Sequence, residues 1–245
     1  MTELKDPMGH AIADYHATGK AARLRVFSPM FDEDEIPVAT LFRSVDEMPA
    51  IERKALELAN GKILDVGAGA GCHSLALQAM GKSVTAIDIS PLCVETMRNR
   101  GVDNALEQDF FTLRGQFDSI IMLMNGIGIV GTLSRLPAFF MQLDALLAPG
   151  GQVLCDSSDI CYVFEDEDGI IDLTGIEGYY GELTYQMQYR GVKGDAFPWL
   201  FIDPETLQEH ASQHGFHCDI IARGEHYDYL ARLTRHKETQ PQTTK

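Results

Sequence analysis

From Gly61 onward, short runs of β-branched and apolar residues alternate with segments of helical spacing, a rhythm that predicts a parallel α/β sheet. Lys62-Ile-Leu-Asp-Val66 reads as a first strand, followed by glycines and a helix running from Gly71 until Gly81 stops it. Ser83 to Asp88 reads as a second strand. Ser90 then has the form of an N-cap with Pro91 at the first helical position, and Gly101 closes that helix. A third strand covers about Asp103 to Glu107. Phe117 to Met124 is continuously apolar, as a strand buried on both faces should be. Leu133 to Leu147 has helical spacing and ends at Pro149-Gly150-Gly151, with a fifth strand over Gln152 to Asp156.

The rhythm then changes. Residues 157 to 202 hold an acidic stretch and the alternating segment Tyr180 to Tyr189, which reads as an inserted strand or hairpin arm. Asp203-Pro204-Glu205 repeats the cap-then-proline signal, Gly215 ends that helix, and Phe216 to Arg223 with Tyr227 to Leu233 can close a hairpin. Residues 1 to 60 are mostly helical in pattern and too few for an independent domain, so they read as a lid on the sheet. Residues 236 to 245 are polar and aperiodic, the pattern of a flexible tail.

The 245 residues are 45% hydrophobic, enough for one domain with a sizeable core. A formal charge of −16 and the lack of a Lys/Arg cluster argue against nucleic acid as a partner. The most apolar run, Ser119 to Gly131, is too short to span a bilayer, and the N-terminus lacks the basic and apolar regions of a signal peptide. Five cysteines without a C-x-x-C pair fit reduced thiols, so a cytoplasmic setting without membrane contact is expected.

The chemistry concentrates in Asp65-Val-Gly-Ala-Gly-Ala-Gly71. A strand runs into glycines, which let a ligand approach the main chain, and a helix N-terminus behind them favours an anionic group. Asp88, twenty-one residues after Gly67 at the end of the second strand, stands where doubly wound folds place a carboxylate on ribose hydroxyls. The dinucleotide fingerprint G-x-G-x-x-G/A fails at Cys72, because the spacing here is G-x-G-x-G.

That spacing resembles the class I S-adenosylmethionine-dependent methyltransferases. Ile87-Asp-Ile-Ser-Pro91, Glu107-Gln-Asp-Phe110 and Leu146-Leu-Ala-Pro-Gly-Gly-Gln-Val-Leu154 extend the match in order. The resemblance covers roughly Gly61 to Asp156. It implies a doubly wound, Rossmann-like α/β fold with a seven-stranded, mostly parallel sheet. The antiparallel last strand should lie between strands five and six. Around this core, at residues 61 to 235, stand the N-terminal helical lid (1 to 60) and the insertion after strand five (157 to 202).

The implied cofactor is S-adenosyl-L-methionine. Gly67, Ala68, Gly69 and Gly71 should lie along its methionine part, with Asp65 orienting that loop or meeting the amino group through water. Asp88 should take the ribose hydroxyls and Ile89 the adenine face. Asp109 should accept from the adenine amino group, with Phe110 beside the ring, and Met124 and Asn125 should lie near the sulfonium. Acceptor selection is expected from the two parts outside the core, where Tyr15, Arg43, Tyr180, Tyr185 and Trp199 suit a pocket for a small molecule. Removing residues 1 to 40 should then cost turnover and spare the cofactor.

Asn125-Gly-Ile-Gly128 differs from the Asn-Pro-Pro-Tyr type of sequence, which argues against the branch that methylates amide or exocyclic amino nitrogens. The sequence assigns neither the acceptor atom, nor a general base, nor an oligomeric state. His210, His214 and His217 lack the H-E-x-x-H pattern and read as a solvated helix face. Glu165 to Gly169 fails the EF-hand spacing, so no metal is expected. A binding module that holds the cofactor without catalysis is the alternative function. A nicotinamide-dependent reductase is weaker.

Overall fold

The structure is a computed structural model, and it describes residues 5–166 and 168–236. The expected tail beyond His236 lies outside the described residues, as does Glu167 of the acidic stretch. The elements are α1 (Pro7–Thr18), β1 (Leu24–Ser28), β2 (Phe31–Ile36), α2 (Ala50–Leu58), β3 (Lys62–Val66), α3 (Cys72–Ala79), β4 (Ser83–Asp88), α4 (Pro91–Arg100) and β5 (Ala105–Glu107). There follow β6 (Phe117–Met122), α5 (Leu136–Leu146), β7 (Leu147–Ser158), β8 (Glu182–Tyr189), β9 (Val192–Lys193), β10 (Phe197–Leu200), α6 (Pro204–Gln213), β11 (Phe216–Arg223) and β12 (Asp228–Arg235).

Seven strands form the core sheet in the order β11-β12-β7-β6-β3-β4-β5. The ladders among β7, β6, β3, β4 and β5 are parallel, while β12 runs antiparallel to both β7 and β11. The last strand therefore lies between the fifth and sixth, as the resemblance implied. Adjacent apolar residues in the central strands serve opposite faces. Leu64, Ile120, Val153 and Ala231 pack with α5 and α6 through Phe139, Leu143, Leu207 and Ala211. Their neighbours Ile63, Ile121, Leu154 and Leu230 pack with α2 and α3 through Ile51, Ala55, Leu56 and Leu77. Both faces are covered, which is why these strands read as unbroken apolar runs.

The first sixty residues hold the expected helices and also the β1–β2 hairpin, which the helical reading did not anticipate. That hairpin joins the insertion: β1 pairs antiparallel with β8, from Leu24↔Tyr189 to Phe27↔Gln186. The result is a second, five-stranded antiparallel sheet in the order β10-β8-β1-β2, with β9 on β8. The two stretches outside the core thus build one structure. Contrary to a simple solvated face, His214 near the end of α6 stacks on Phe140 at 5.1 Å. Among the described residues no helix is long and apolar enough to cross a membrane.

Candidate active site

The five parallel strands end on one side, and the second sheet arches over those ends. Between them is a cavity of about 1340 Å³. Its floor is made by the β3–α3 loop, the end of β4, the turn after β5 and the turn after β6. Its roof is one face of β1, β2, β8 and β10.

Gly67 and Gly69 both have positive φ, +68° and +56°, and both face open space. A Cβ on Gly67 would meet nothing within 4 Å, and one on Gly69 only Ile12 Cδ1 at 3.9 Å. Glycine is needed here for the left-handed backbone, and the room beside it belongs to the cavity. Gly71 is different. A Cβ there would lie 2.9 Å from Val102 Cγ2 and 3.0 Å from Met97 Cγ, and the residue does not line the cavity. Its φ of +80° is left-handed as well, and the lack of a Cβ makes room for Val102 and Met97.

Asp65 lies under the loop, buried, and accepts a hydrogen bond of 2.6 Å from the Ser74 hydroxyl; burial holds its carboxyl above the usual range. Asp88 accepts from the backbone N–H of Gly69 and of Ser90, each at 2.9 Å. It therefore joins the glycine loop to the α4 cap while still lining the cavity, and burial raises its pKa. Ile89 is 64% exposed beside it, with its side chain in the cavity. Asp109 caps the turn after β5 by accepting from Phe111 N–H at 2.9 Å. Phe110 is mostly claimed by the core, against Phe139, and Phe111 joins it on the cavity wall.

Met124 and Asn125 form a strained turn after β6, with φ of +65° and +55° in two successive residues that carry side chains. Such a conformation persists only where its surroundings hold it. The buried Asp156 does so by accepting from Met124 N–H at 2.9 Å and Gly126 N–H at 3.1 Å. Asn125 is fixed by donating to the Leu200 carbonyl at 3.2 Å and accepting from the Ser157 hydroxyl at 2.9 Å. Burial pushes the Asp156 carboxyl up to about 7, against the pull of those two N–H groups.

Of the five residues expected to select the acceptor, Tyr185 and Trp199 line the cavity; Tyr15, Arg43 and Tyr180 do not. Tyr15 packs on Phe42 at 4.7 Å, and Tyr180 donates to Asp159 at 2.8 Å. Arg43 is buried, ion-paired with Glu52, and its Nη1 lies 3.4 Å from Met124 Sδ. Glu52 also holds His73 Nε2 at 2.8 Å, and His73 reaches the cavity wall. Burial pushes the Glu52 carboxyl up, but the hydrogen bonds of His73 and Arg43 outweigh it and hold the group below its usual range.

The sequence reading missed this Arg43–Glu52–His73 group because Glu52 looks like an ordinary first-turn acid of α2. It also missed Asp6, which caps α1 through Gly9 N–H at 2.7 Å and accepts from the Ser90 hydroxyl. Here a signal was available: Asp6-Pro7 is the same cap-then-proline pair as Ser90-Pro91.

The floor fits S-adenosylmethionine. Two glycines open a cradle that any Cβ would fill, and a carboxylate with free lone pairs and an exposed apolar side chain follow at the second strand. A profile of the methyltransferase domain family matches residues 63–151. A solved structure of an S-adenosylmethionine-dependent methyltransferase from Bacteroides fragilis, in complex with S-adenosyl-L-homocysteine, is 56% identical. It covers 95% of both chains with a TM-score of 0.89. The CcbJ methyltransferase from Streptomyces caelestis shares the fold at 13% identity, over 79% of this chain and 98% of its own, with a TM-score of 0.60.

Among curated proteins, a ubiquinone biosynthesis O-methyltransferase of Xanthomonas oryzae pv. oryzae is 38% identical over 55 residues, 22% of this chain and 23% of its own. Its counterpart in Xylella fastidiosa is 37% identical over 110 residues, 41% and 43%. The chain thus spans well under half the length of these curated relatives. With the fold, the cradle and the Bacteroides fragilis relative in agreement, the chain belongs to the S-adenosylmethionine-dependent methyltransferases.

Proposed function

We propose that this protein transfers the methyl group of S-adenosylmethionine to a nucleophilic atom of a small molecule enclosed between the two sheets. The observation that carries the reading is the roofed cavity whose floor is the open Gly67–Gly69 cradle beside Asp88. The cofactor, when bound, supplies the electrophilic methyl group. The Gly67–Gly69 backbone, with Ala68 between, takes its methionine part, Asp88 the ribose hydroxyls, Ile89 and Phe110 the faces of the adenine, and Asp109 its amino group. Asp65 acts on the loop from below, and Met124 and Asn125 shape the floor where the acceptor approaches.

What the chain itself contributes is alignment and exclusion of water, which lower the barrier of an in-line transfer. The buried groups nearest the floor are already engaged: Asp156 by backbone N–H groups and His73 by Glu52. The chain assigns neither a general base nor the acceptor atom. The roofed site supports a small molecule over a nucleic-acid strand, and five unpaired cysteines support a cytoplasmic setting. Calorimetry should show S-adenosylhomocysteine binding and no NAD binding. A metabolite panel scored for S-adenosylhomocysteine release then tests turnover. Tight binding with no turnover on any acceptor would favour a cofactor-binding module instead.

A further inference from the structure

The two faces of the β1–β2 hairpin treat their acids differently. On the outer face Glu35 is paired with Arg23, and Glu33, at the cavity edge, is taken up by Arg25. The inner face follows from the register. Val26 is opposite Asp34 on one side and Met187 on the other, so the three share a face, together with Tyr185 and Leu183 two and four positions back along β8. Tyr185 is opposite Phe197 and Leu183 is opposite Trp199 on β10. All of these residues line the cavity.

Asp34 is thus a carboxylate on a mainly apolar and aromatic roof, next along β2 to Asp32 and Glu33, which also line the cavity. It has no ion-pair partner among the described residues, and its one hydrogen bond is the Glu35 N–H at 2.7 Å. The cations on the cavity wall are engaged elsewhere, Lys5 with Asp195 at 3.2 Å and Arg135 over the Phe111 ring at 4.6 Å. Burial, and then the Asp34 charge, push the Tyr185 hydroxyl up to about 12, so the two side chains share one electrostatic environment.

An unpaired carboxylate beside aromatic rings on one wall of a cavity is the arrangement that recognises an organic cation. The carboxylate meets the charge, and ring faces stabilise what it does not cover. We propose that Asp34 is a specificity-determining residue, and that the acceptor is a small molecule carrying a protonated amine or similar cationic group on an apolar body. This rests on the methyltransferase reading of the same cavity.

The test uses the full chain saturated with S-adenosylhomocysteine and three probes that share one aromatic body: 2-phenylethylamine, 2-phenylethanol and phenylacetate. Calorimetry should give the amine an affinity about fivefold above the alcohol, the effect of one partly solvated charge pair, with phenylacetate weakest. Asp34→Asn should remove the preference for the amine, while Glu35→Gln on the outer face keeps it. Equal affinity for amine and alcohol, or a preference that survives in Asp34→Asn, overturns the proposal and leaves the cofactor site standing. A wild-type chain that fails to bind S-adenosylhomocysteine overturns the methyltransferase reading first, and this proposal with it.

Discussion

The core sheet buries both faces and the roof sheet buries one, and the chemistry of the protein is divided along the same line. In the core, every central strand packs helices on both sides, so the floor of the cavity is held by residues that cannot move without disturbing the interior. In the roof, Arg23, Arg25, Glu35, Gln186 and Gln188 occupy an outer face toward water, and the inner face meets the cavity. The rigid half carries what every member of the family binds. On the proposed reading the half-solvated part selects the acceptor, because its inner side chains can change without costing the core.

The sharpest way to break that division is at the floor. Gly69→Val is expected to abolish S-adenosylhomocysteine binding, since its branched side chain would fill the cradle. With no protein atom closer than 3.9 Å to the new Cβ, the fold should lose only about 1–2 kcal/mol, from the left-handed backbone. Calorimetry beside thermal denaturation separates the two effects, and a variant that binds normally would remove the cradle. Gly71→Ala should show the reverse, a lower unfolding midpoint from contact with Val102 and Met97 with cofactor affinity lost only as the fold is lost.

Asp88→Ala is expected to cost about 1–3 kcal/mol of cofactor affinity through lost charge-assisted hydrogen bonds. Because the carboxylate also holds Gly69 N–H, Asp88→Asn should recover part of the loss. Equal affinities for all three proteins in titration would remove the ribose assignment.

Asp156 sharpens the comparison through pH. Its folded pKa of about 7 lies above an unfolded value near 4, so between those values the folded state holds a proton that the unfolded chain has released. Stability due to this group is present in full below about pH 4 and falls as pH rises through 7, by about 1.4 kcal/mol for each unit of pKa difference. Urea unfolding from pH 4 to 8 should show that decline in the wild type and a flatter profile in Asp156→Asn. Parallel profiles would mean that the carboxyl is not held protonated.

The smallest effect is expected outside. Glu35→Gln removes a solvent-exposed partner of Arg23 and should leave unfolding midpoint and cofactor affinity unchanged within measurement. A clear loss of either would make the outer face more than a solvated surface.

What could be read in the sequence follows the same boundary. The glycine loop, Asp88 and the Ser90-Pro91 cap are local signals, each complete within a few residues, and the core strands announce themselves as apolar runs. The hairpin has no such signature. Phe31-Asp-Glu-Asp-Glu-Ile36 carries four consecutive acids, and it is a strand because Arg25 of β1 and Arg23 just before it pair with two of them and β8, far along the chain, completes the sheet on the other side of β1. The same distance hid which aromatics face inward: Tyr185 and Trp199 do, whereas Tyr15 and Tyr180 satisfy their own segments.

The N-terminal segment also changes the expected outcome of truncation. Asp6 bonds to Ser90 and Ile12 stands beside Gly69, so removing residues 1 to 40 strips one wall of the cofactor site as well as half of the roof. It should weaken cofactor binding together with turnover.

The pairing of β1 with β8 has a consequence for the order in which the molecule comes together. Its two partners flank almost the whole core in sequence, so closing that ladder costs more chain entropy than any parallel pairing beneath it. In refolding, amides of Leu64 and Ile120 should gain protection from solvent exchange before those of Val26 and Met187. During synthesis, the β1–β2 hairpin must wait, with the outer edge of β1 unpaired, until the ribosome has delivered the segment around residue 185.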